Sequence, residues 1–138
     1  MNLKIQLVNT NKEYEEILNI RKLVFVEEQN VPIDIEIEFE DESHHVICYN
    51  DDFPVATGRW RETSFGIKLE RFAVLHEFRG MGIGKQIVNY ILSQISGQIL
   101  HAQTLEFSHP VKNNRLKFKA PHPNDFKKML SLLNKLSS

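Results

Sequence analysis

The sequence predicts an α+β domain with a mixed, mostly antiparallel sheet flanked by helices. Three apolar runs between positions 46 and 74 are separated by turn residues, which is typical of an antiparallel meander. A glycine-rich turn then joins the last of these runs to a segment whose apolar residues have helical spacing. Gly97 is predicted to end that helix, and a further strand is predicted over residues 98–103. The 138 residues are enough for one domain spanning residues 1–138.

The first elements are predicted to be a strand and a long helix. Apolar and polar residues alternate over residues 3–7, as in a half-buried strand. Thr10 and Glu13 have the spacing of a capping box, which predicts the start of a helix. Apolar residues continue at helical spacing as far as Phe25, and Pro32 ends that run.

Residues 33–42 combine isoleucine and phenylalanine with many acidic residues. The apolar and acidic residues alternate, which fits either an edge strand or an irregular active-site segment. The acidic run from Glu36 to Glu42 is either a solvated loop or a surface that attracts a cationic acceptor. The meander follows, with strands predicted over residues 46–49, 53–61 and 67–74 and a turn at residues 50–52.

The glycine-rich turn is the most informative motif of the chain. It follows the strand over residues 67–74, and its sequence is Arg79-Gly80-Met81-Gly82-Ile83-Gly84. The next residues form one apolar helix face, made by Ile83, Ile87, Val88, Ile91, Leu92 and Ile95. Glycines let backbone N–H groups approach a ligand, and the start of a helix favours negative charge. The turn therefore predicts a phosphate or pyrophosphate site.

Two well-known phosphate motifs do not fit this turn. A Walker A loop needs Ser or Thr after its Gly-Lys pair, whereas Gln86 follows Gly84-Lys85. A dinucleotide fingerprint needs its third glycine three residues after the second, whereas Gly80, Gly82 and Gly84 alternate. The remaining pattern, Arg-x-x-Gly-x-Gly, resembles the pyrophosphate loop of the GNAT N-acetyltransferases.

The resemblance to this superfamily covers about residues 1–104. Residues 21–32, 54–61 and 100–104 resemble segments of a subgroup of small bacterial GNAT proteins, and residues 69–74 resemble the strand that carries the pantetheine arm. The resemblance implies a GNAT-like acyl-CoA N-acyltransferase fold. It also implies that acetyl-CoA is the cosubstrate and that an acetyl group passes to a primary amine by direct attack.

The same resemblance implies a set of CoA-binding residues. The N–H groups of the turn would hold the pyrophosphate, with charge added by the first arginine and the following lysine, and the preceding strand would bond the pantetheine amides through its backbone. The implied set is Phe72, Ala73, Val74, Arg79, Gly80, Met81, Gly82, Ile83, Gly84 and Lys85. The side chains of the three strand residues are also expected to pack in the core.

Glu70 is the candidate catalytic residue. It lies in the strand before the turn, where a carboxylate could remove a proton from the amine, directly or through water. The alternative is a structural salt bridge to Arg59 or Arg71. His101 could line the cleft or pack in the core. Cys48 lies in an apolar strand and is expected to be an inert buried thiol.

The chain departs from the family pattern after Thr104. The family usually has a Phe-Tyr pair there, and its tyrosine commonly protonates the departing CoA thiolate, but no tyrosine follows Tyr90. A weak or inactive acyl-CoA-binding protein is therefore an alternative function, and an interaction module with a basic tail is a third. Residues 105–138 are a divergent tail, predicted to form a strand over residues 115–119 and an amphipathic helix from Asn124. The tail either replaces the family's last strands or results from a shift of reading frame.

Composition sets the remaining expectations. The net charge of −1 does not favour nucleic acid as a partner, and no apolar run is long enough to span a membrane or to form a signal peptide. A single cysteine fits a reducing cytoplasm. His44 and His45 point to opposite faces of a strand, so no metal is expected. The expected partner is a small-molecule or peptide amine, and a homodimer would let the basic tail cover the acidic segment of a second copy.

Overall fold

A single six-stranded sheet organises the protein. The computed structural model describes residues 1–99, 101–108 and 115–119 and the single positions 121, 124, 125, 128 and 131. The strands follow one another across the sheet in chain order: β1 (Leu3–Leu7), β2 (Ser43–Asn50), β3 (Phe53–Glu62), β4 (Gly66–Val74), β5 (Thr104–Ser108) and β6 (Arg115–Lys119). All neighbouring strands are antiparallel except β4 and β5, which are parallel. The predicted mixed, mostly antiparallel sheet is confirmed.

The first helix begins where the sequence predicts. The Thr10 hydroxyl accepts a hydrogen bond from the Glu13 N–H at 3.1 Å, and the Glu13 carboxylate accepts one from the Thr10 N–H at 3.0 Å. This capping box starts α1 (Asn11–Arg21), which continues directly as a π-helical segment (Lys22–Glu28). π-Helices are rare in proteins, and those that occur are often found at functional sites.

The acidic part of the chain forms neither a strand nor a single helix. It folds into the short helix α2 (Ile33–Glu36) and a 3₁₀ turn (Glu40–Glu42). The edge-strand alternative is therefore wrong, and the irregular alternative describes the backbone. The reason is tertiary, because the Glu36 and Glu40 side chains turn inward to buried arginines while the isoleucines remain exposed.

The helix after the glycine turn is longer than expected. α3 (Ile83–Ile99) runs through Gly97, which the sequence predicts as its end. A glycine costs a helix only about 1 kcal/mol relative to alanine, and four isoleucines buried at helical spacing anchor α3 to the sheet. The strand predicted over residues 98–103 is also wrong, since the next strand is β5 and His101 lies in a turn before it.

The core lies on both faces of the sheet. α3 covers one face and packs on Val46, Trp60, Leu69 and Phe72. The end of α1 and the π-helical segment cover the other face around Ala73, through Ile20, Val24 and Phe25. Both faces of β4 are therefore buried between helices.

β6 confirms the strand predicted in the tail. The apolar residues predicted to form the helix after Asn124 lie outside the described residues. The described positions in this region, 124, 125, 128 and 131, are helical. Within the described part of the chain, no helix has the length and apolarity needed to cross a membrane.

Candidate functional site

β4 loses one of its neighbours halfway along its length. Its parallel ladder with β5 pairs Gly66–Leu69 with Thr104–Phe107, while β4 itself continues to Val74. On the other side, β3 still pairs with Ala73 and Val74. Along Glu70–Val74, the edge facing away from β3 therefore has no strand partner among the described residues. Backbone groups on such an edge have no ladder partner and can bond an extended ligand, although the Val74 carbonyl already accepts one hydrogen bond from Arg79.

A β-bulge lies at the same point of β4. The register between β3 and β4 shifts between Thr57 and Arg59, so that Arg71 and Phe72 lie between the two paired positions. Arg71 has a φ of 59°, in the left-handed region that is unfavourable for a long side chain. Bulges are over-represented next to active sites, where they re-aim side chains or end the pairing of strands.

The glycine turn presents an open helix start. Gly80 and Gly82 have φ values of 79° and 77°, and a Cβ on either residue would meet no atom of the described chain within 4 Å. The first hydrogen bond of α3 runs from the Gln86 N–H to the Gly82 carbonyl. The N–H groups of Ile83, Gly84 and Lys85 precede it and have no helical acceptor. No acidic side chain occupies the first turn, so the site is suited to an anion.

Arg79 is engaged within the protein. Its Nε donates to the Val74 carbonyl at 2.9 Å, and its Nη2 donates to the Glu28 carboxylate at 2.8 Å. The guanidinium thus ties the glycine turn to the end of β4 and to the π-helical segment. Glu28 therefore balances part of the positive charge that Arg79 is predicted to offer the pyrophosphate, and no pattern in the sequence indicates this contact.

The three strand residues predicted to bind pantetheine pack through their side chains. The Phe72 ring lies 5.3 Å from the Phe107 ring on the α3 face, and Ala73 is buried beneath α1. Val74 is half-buried. Because side chains fill the core while the outer backbone edge has no strand partner, core packing and ligand binding by the backbone are compatible.

Glu70 is buried among cations. Its Oε1 accepts hydrogen bonds from Arg59 Nη2 and from Arg61 Nε, both at 2.8 Å, and Lys68 Nζ lies 3.7 Å from its Oε2. Burial alone would raise the pKa of Glu70, but the arginines outweigh it and hold the pKa below its ordinary value. The carboxylate is therefore deprotonated, as a base must be, but these partners make it weakly basic.

A second carboxylate, Glu40, joins the acidic segment to the sheet. It accepts hydrogen bonds from the Tyr14 hydroxyl and from Arg21 Nη1, both at 2.8 Å, and is ion-paired with Arg59. Burial raises the pKa of Tyr14 to about 12, with help from this carboxylate. Glu36 pairs with Arg21 from the same segment. Residues 36–42 thus anchor the segment through buried ion pairs, which the sequence analysis did not anticipate.

Arg71 joins the bulge of β4 to α2, a contact that no pattern in the sequence indicates. Its Nη2 donates to the Ile35 carbonyl at 2.7 Å, and its Nε donates to the Glu36 carbonyl at 3.2 Å. The ion pair with Glu70 that the sequence suggests as an alternative is longer, at 3.9 Å from Arg71 Nη1 to Glu70 Oε2. Neither its left-handed backbone nor its contact with α2 follows from a strand-like pattern.

The other reactive side chains lie away from this edge of β4. Burial raises the pKa of the Cys48 thiol to about 11, as expected for an inert thiol. His45 is two strands away, against the Tyr14 ring. In the part of the chain that is described, no three His, Cys, Asp or Glu side chains are placed to hold a metal ion.

Comparison with known proteins agrees with this geometry. Residues 11–115 match the Acetyltransferase (GNAT) family, so the match extends into β6, beyond the motifs seen in the sequence. The chain is 38% identical over 108 residues to the uncharacterised N-acetyltransferase YjcF of Bacillus subtilis strain 168, covering 74% of this chain and 77% of that protein.

Solved structures share the fold. An acyl-CoA N-acyltransferase from Pseudomonas aeruginosa superposes with a TM-score of 0.67 at 23% identity, covering 77% of this chain and 78% of that one. A Bacillus subtilis acetyltransferase, solved in complex with CoA, superposes with a TM-score of 0.57 at 21% identity, covering 77% and 64%. The chain belongs to the GNAT family of acetyltransferases, and its fold is the acyl-CoA N-acyltransferase fold.

Proposed function

We propose that this protein transfers an acetyl group from acetyl-CoA to a primary amine by direct attack. The observation that carries the proposal is the outer edge of β4, which loses its partner after Leu69 and leads into the open helix start of α3. An extended pantetheine arm suits the first feature and a pyrophosphate suits the second. The fold relative solved with CoA supports this choice of ligand.

The backbone would do most of the binding in this proposal. Groups on the outer edge of Phe72–Val74 would bond the pantetheine amides, and the N–H groups of residues 79–85 would hold the pyrophosphate. Lys85 would add positive charge. The amine nitrogen would bond to the acetyl carbon as the bond to the CoA sulfur breaks, with backbone N–H groups stabilising the developing oxyanion.

The role of Glu70 in the reaction remains a prediction. Its carboxylate is next to the bulge and ionised, so it could accept the amine proton through water. Its hydrogen bonds to Arg59 and Arg61 instead favour a structural role. Mutation of Glu70 distinguishes the two roles, as described in the Discussion.

Ligand-induced stabilisation tests the proposed site. CoA at a hundredfold excess over its Kd should raise the free energy of unfolding by about 2.7 kcal/mol, measured as an increase in Tm. Absence of a shift at millimolar CoA, with the protein folded, contradicts both the acetyltransferase proposal and the acyl-CoA-binding alternative.

Gly82→Val should abolish that shift. A branched side chain would stand where the pyrophosphate approaches the backbone, and the φ of 77° also disfavours valine. Gly97→Val is a control for the added side chain, because Gly97 lies in α3 and a Cβ there also meets no described atom within 4 Å. Parent-like CoA binding by a folded Gly82→Val variant would place the phosphate site elsewhere.

An acyl-CoA-binding protein with little turnover is the second candidate. The observation that favours it is the lack of any tyrosine after Tyr90, which removes the usual acid for the CoA thiolate. Acetyl transfer to a panel of primary amines separates the candidates, since tight CoA binding without transfer supports the second. For either function, the acyl-CoA ligand and the single cysteine favour a cytoplasmic location.

A further inference from the structure

The cluster between the sheet and the acidic segment has an excess of positive charge. Its members are largely buried and come from α1, α2, the 3₁₀ turn, β3 and β4. Four arginines face three glutamates: Arg21, Arg59, Arg61 and Arg71 against Glu36, Glu40 and Glu70. Lys68, which is more exposed, adds a further cation near Glu70.

Arg71 is the arginine of this cluster with the weakest carboxylate partner, a single long ion pair with Glu70. Arg21, Arg59 and Arg61 each have a carboxylate oxygen within hydrogen-bonding distance. Arg71 bonds two backbone carbonyls, and its Nη1 lies 3.9 Å from Glu70 Oε2, beyond a hydrogen bond. Burial is the main cause that lowers the pKa of Arg71, the nearby Arg59 adds to it, and Glu70 and Glu36 oppose it.

Arg71 is also placed beside the reacting region. It forms the bulge of β4, immediately before the backbone edge of Phe72–Val74, and it remains 9% exposed. A guanidinium stays charged at all physiological pH values, and the Nη1 group of Arg71, which makes no hydrogen bond to α2, can donate to a carboxylate. Glu70, the ion-pair partner of Arg71, also pairs with Arg59 and Arg61, so positive charge is in excess there and an arriving anion would be stabilised. The carboxylates of Asp34 and Glu38 on the same segment are exposed, and solvent screens their repulsion.

We propose that Arg71 binds a carboxylate of the acceptor, so that the acceptor is an amino acid or another amine that carries a carboxylate close to its nitrogen. This inference rests on the proposed acetyl transfer and names the substrate class for that site. The Nη1 group of Arg71 would donate to the carboxylate, while Nε and Nη2 keep α2 in place. The acceptor nitrogen would then lie near the outer edge of β4.

Matched pairs of acceptors test the inference on the parent protein. Phenylalanine is compared with phenethylamine, and leucine with 3-methylbutylamine, so that each pair differs only in the carboxylate. Rates are compared per concentration of unprotonated amine, because the carboxylate changes the pKa of the amine. A hydrogen-bonded charge of this kind should raise kcat/KM for the amino acids by roughly ten- to hundredfold. Equal values, or a preference for the simple amines, overturn the inference.

Variants of Arg71 assign that preference to its guanidinium. In Arg71→Met the ratio of kcat/KM values within each pair should fall to about one, whatever the absolute rates, whereas Arg71→Lys should retain part of it. Phe39→Ala is the control for a loosened segment, because the Phe39 ring stacks on Arg61 and leaves Arg71 intact. A parent-like ratio in Arg71→Met, or loss of the ratio in Phe39→Ala, overturns the inference.

A binding measurement on the parent protein tests the same preference without depending on the folding of an Arg71 variant. With CoA present, N-acetylphenylalanine should raise the Tm of the parent and N-acetylphenethylamine should raise it less. Equal shifts count against the inference. Transfer without any carboxylate preference overturns only this inference, whereas failure to bind CoA overturns the proposed function as well.

Discussion

At the residue scale, Glu40 and Glu70 should make stability depend on pH in the acid range. Burial acts to raise both pKa values, but the arginines hold them below the ordinary value of 4.5. A lowered folded-state pKa stabilises the protein above the unfolded pKa, and this stabilisation is lost as the pH falls through the folded pKa. We therefore expect these two carboxylates to lower the free energy of unfolding, measured in urea, below about pH 4.5. An earlier decrease should begin below the ordinary histidine value of 6.5, because burial lowers the pKa of His45.

Glu70→Gln should weaken that pH dependence and lower stability at pH 7. Removing one member of a buried ion pair leaves Arg59 and Arg61 without their shared carboxylate, which typically costs about 3–5 kcal/mol. Glu38→Gln, at an exposed position of the acidic segment, should change stability by less than about 0.5 kcal/mol. Equal losses for the two variants would contradict the importance assigned to the buried pairs.

Glu70→Gln also tests catalysis. If Glu70 is the general base and chemistry is rate-limiting, kcat should fall roughly 10²–10⁴-fold. The Kd for CoA should change little, because the backbone and the glycine turn make the proposed contacts. Acetyl transfer is measured for parent, Glu70→Gln and Glu38→Gln at saturating CoA donor. A kcat within a few fold of the parent would remove Glu70 as base and leave the structural role.

The partners of Arg71 and Arg79 could not be predicted from the sequence, whereas the conformation of the turn glycines is a local property. The turn pattern singles out Gly80 and Gly82 as residues that let the backbone approach a ligand, and both have positive φ, a conformation that is local to glycine. Arg79 was expected to face the ligand, yet it bonds Val74 and Glu28, 51 residues earlier in the chain. Arg71 contacts α2, some 35 residues away. Such partners depend on tertiary packing that no local pattern encodes.

At the element scale, α3 offers a direct test of its observed length. Gly97→Ala should raise the free energy of unfolding by about 0.5–1 kcal/mol, because alanine favours a helix interior and a Cβ there meets no described atom within 4 Å. The sequence prediction that Gly97 ends the helix implies the opposite sign, since a helix-ending glycine has positive φ and resists substitution. Urea denaturation of the two proteins distinguishes these expectations.

Elements were predictable where one face or one cap determines them. The capping box of α1, the meander of β2, β3 and β4 and the apolar face of α3 all follow from spacing. The structure of the acidic segment does not follow from spacing. Its alternating apolar and acidic residues fit a strand, whereas ion pairs with Arg21 and Arg59 hold Glu36 and Glu40 on the inner side. β5 was placed too early for a similar reason, since its register is set by pairing with β4. The candidate site was therefore predictable in its turn and strand, but not in its bulge.

At the scale of the whole molecule, the CoA site depends on how closely α3 approaches the sheet. The helix start must stand beside the outer edge of β4 for one ligand to contact both. Gly58 on β3 allows that approach, because an added Cβ would lie 2.9 Å from the Phe72 ring and 3.0 Å from Ile87 Cγ2. Both neighbours are buried, so neither side chain has free space to move into.

Gly58→Ala should therefore weaken stability and CoA binding together. Overpacking of this kind costs typically 1–3 kcal/mol, and relief by displacing α3 would move the glycine turn away from Val74. We expect a lower midpoint in urea and a higher Kd for CoA. Gly97→Ala, which adds the same methyl group to the outer surface of α3, should leave the Kd unchanged. A destabilised Gly58→Ala protein with parent-like CoA affinity would show that the spacing of α3 from the sheet does not set the geometry of the site.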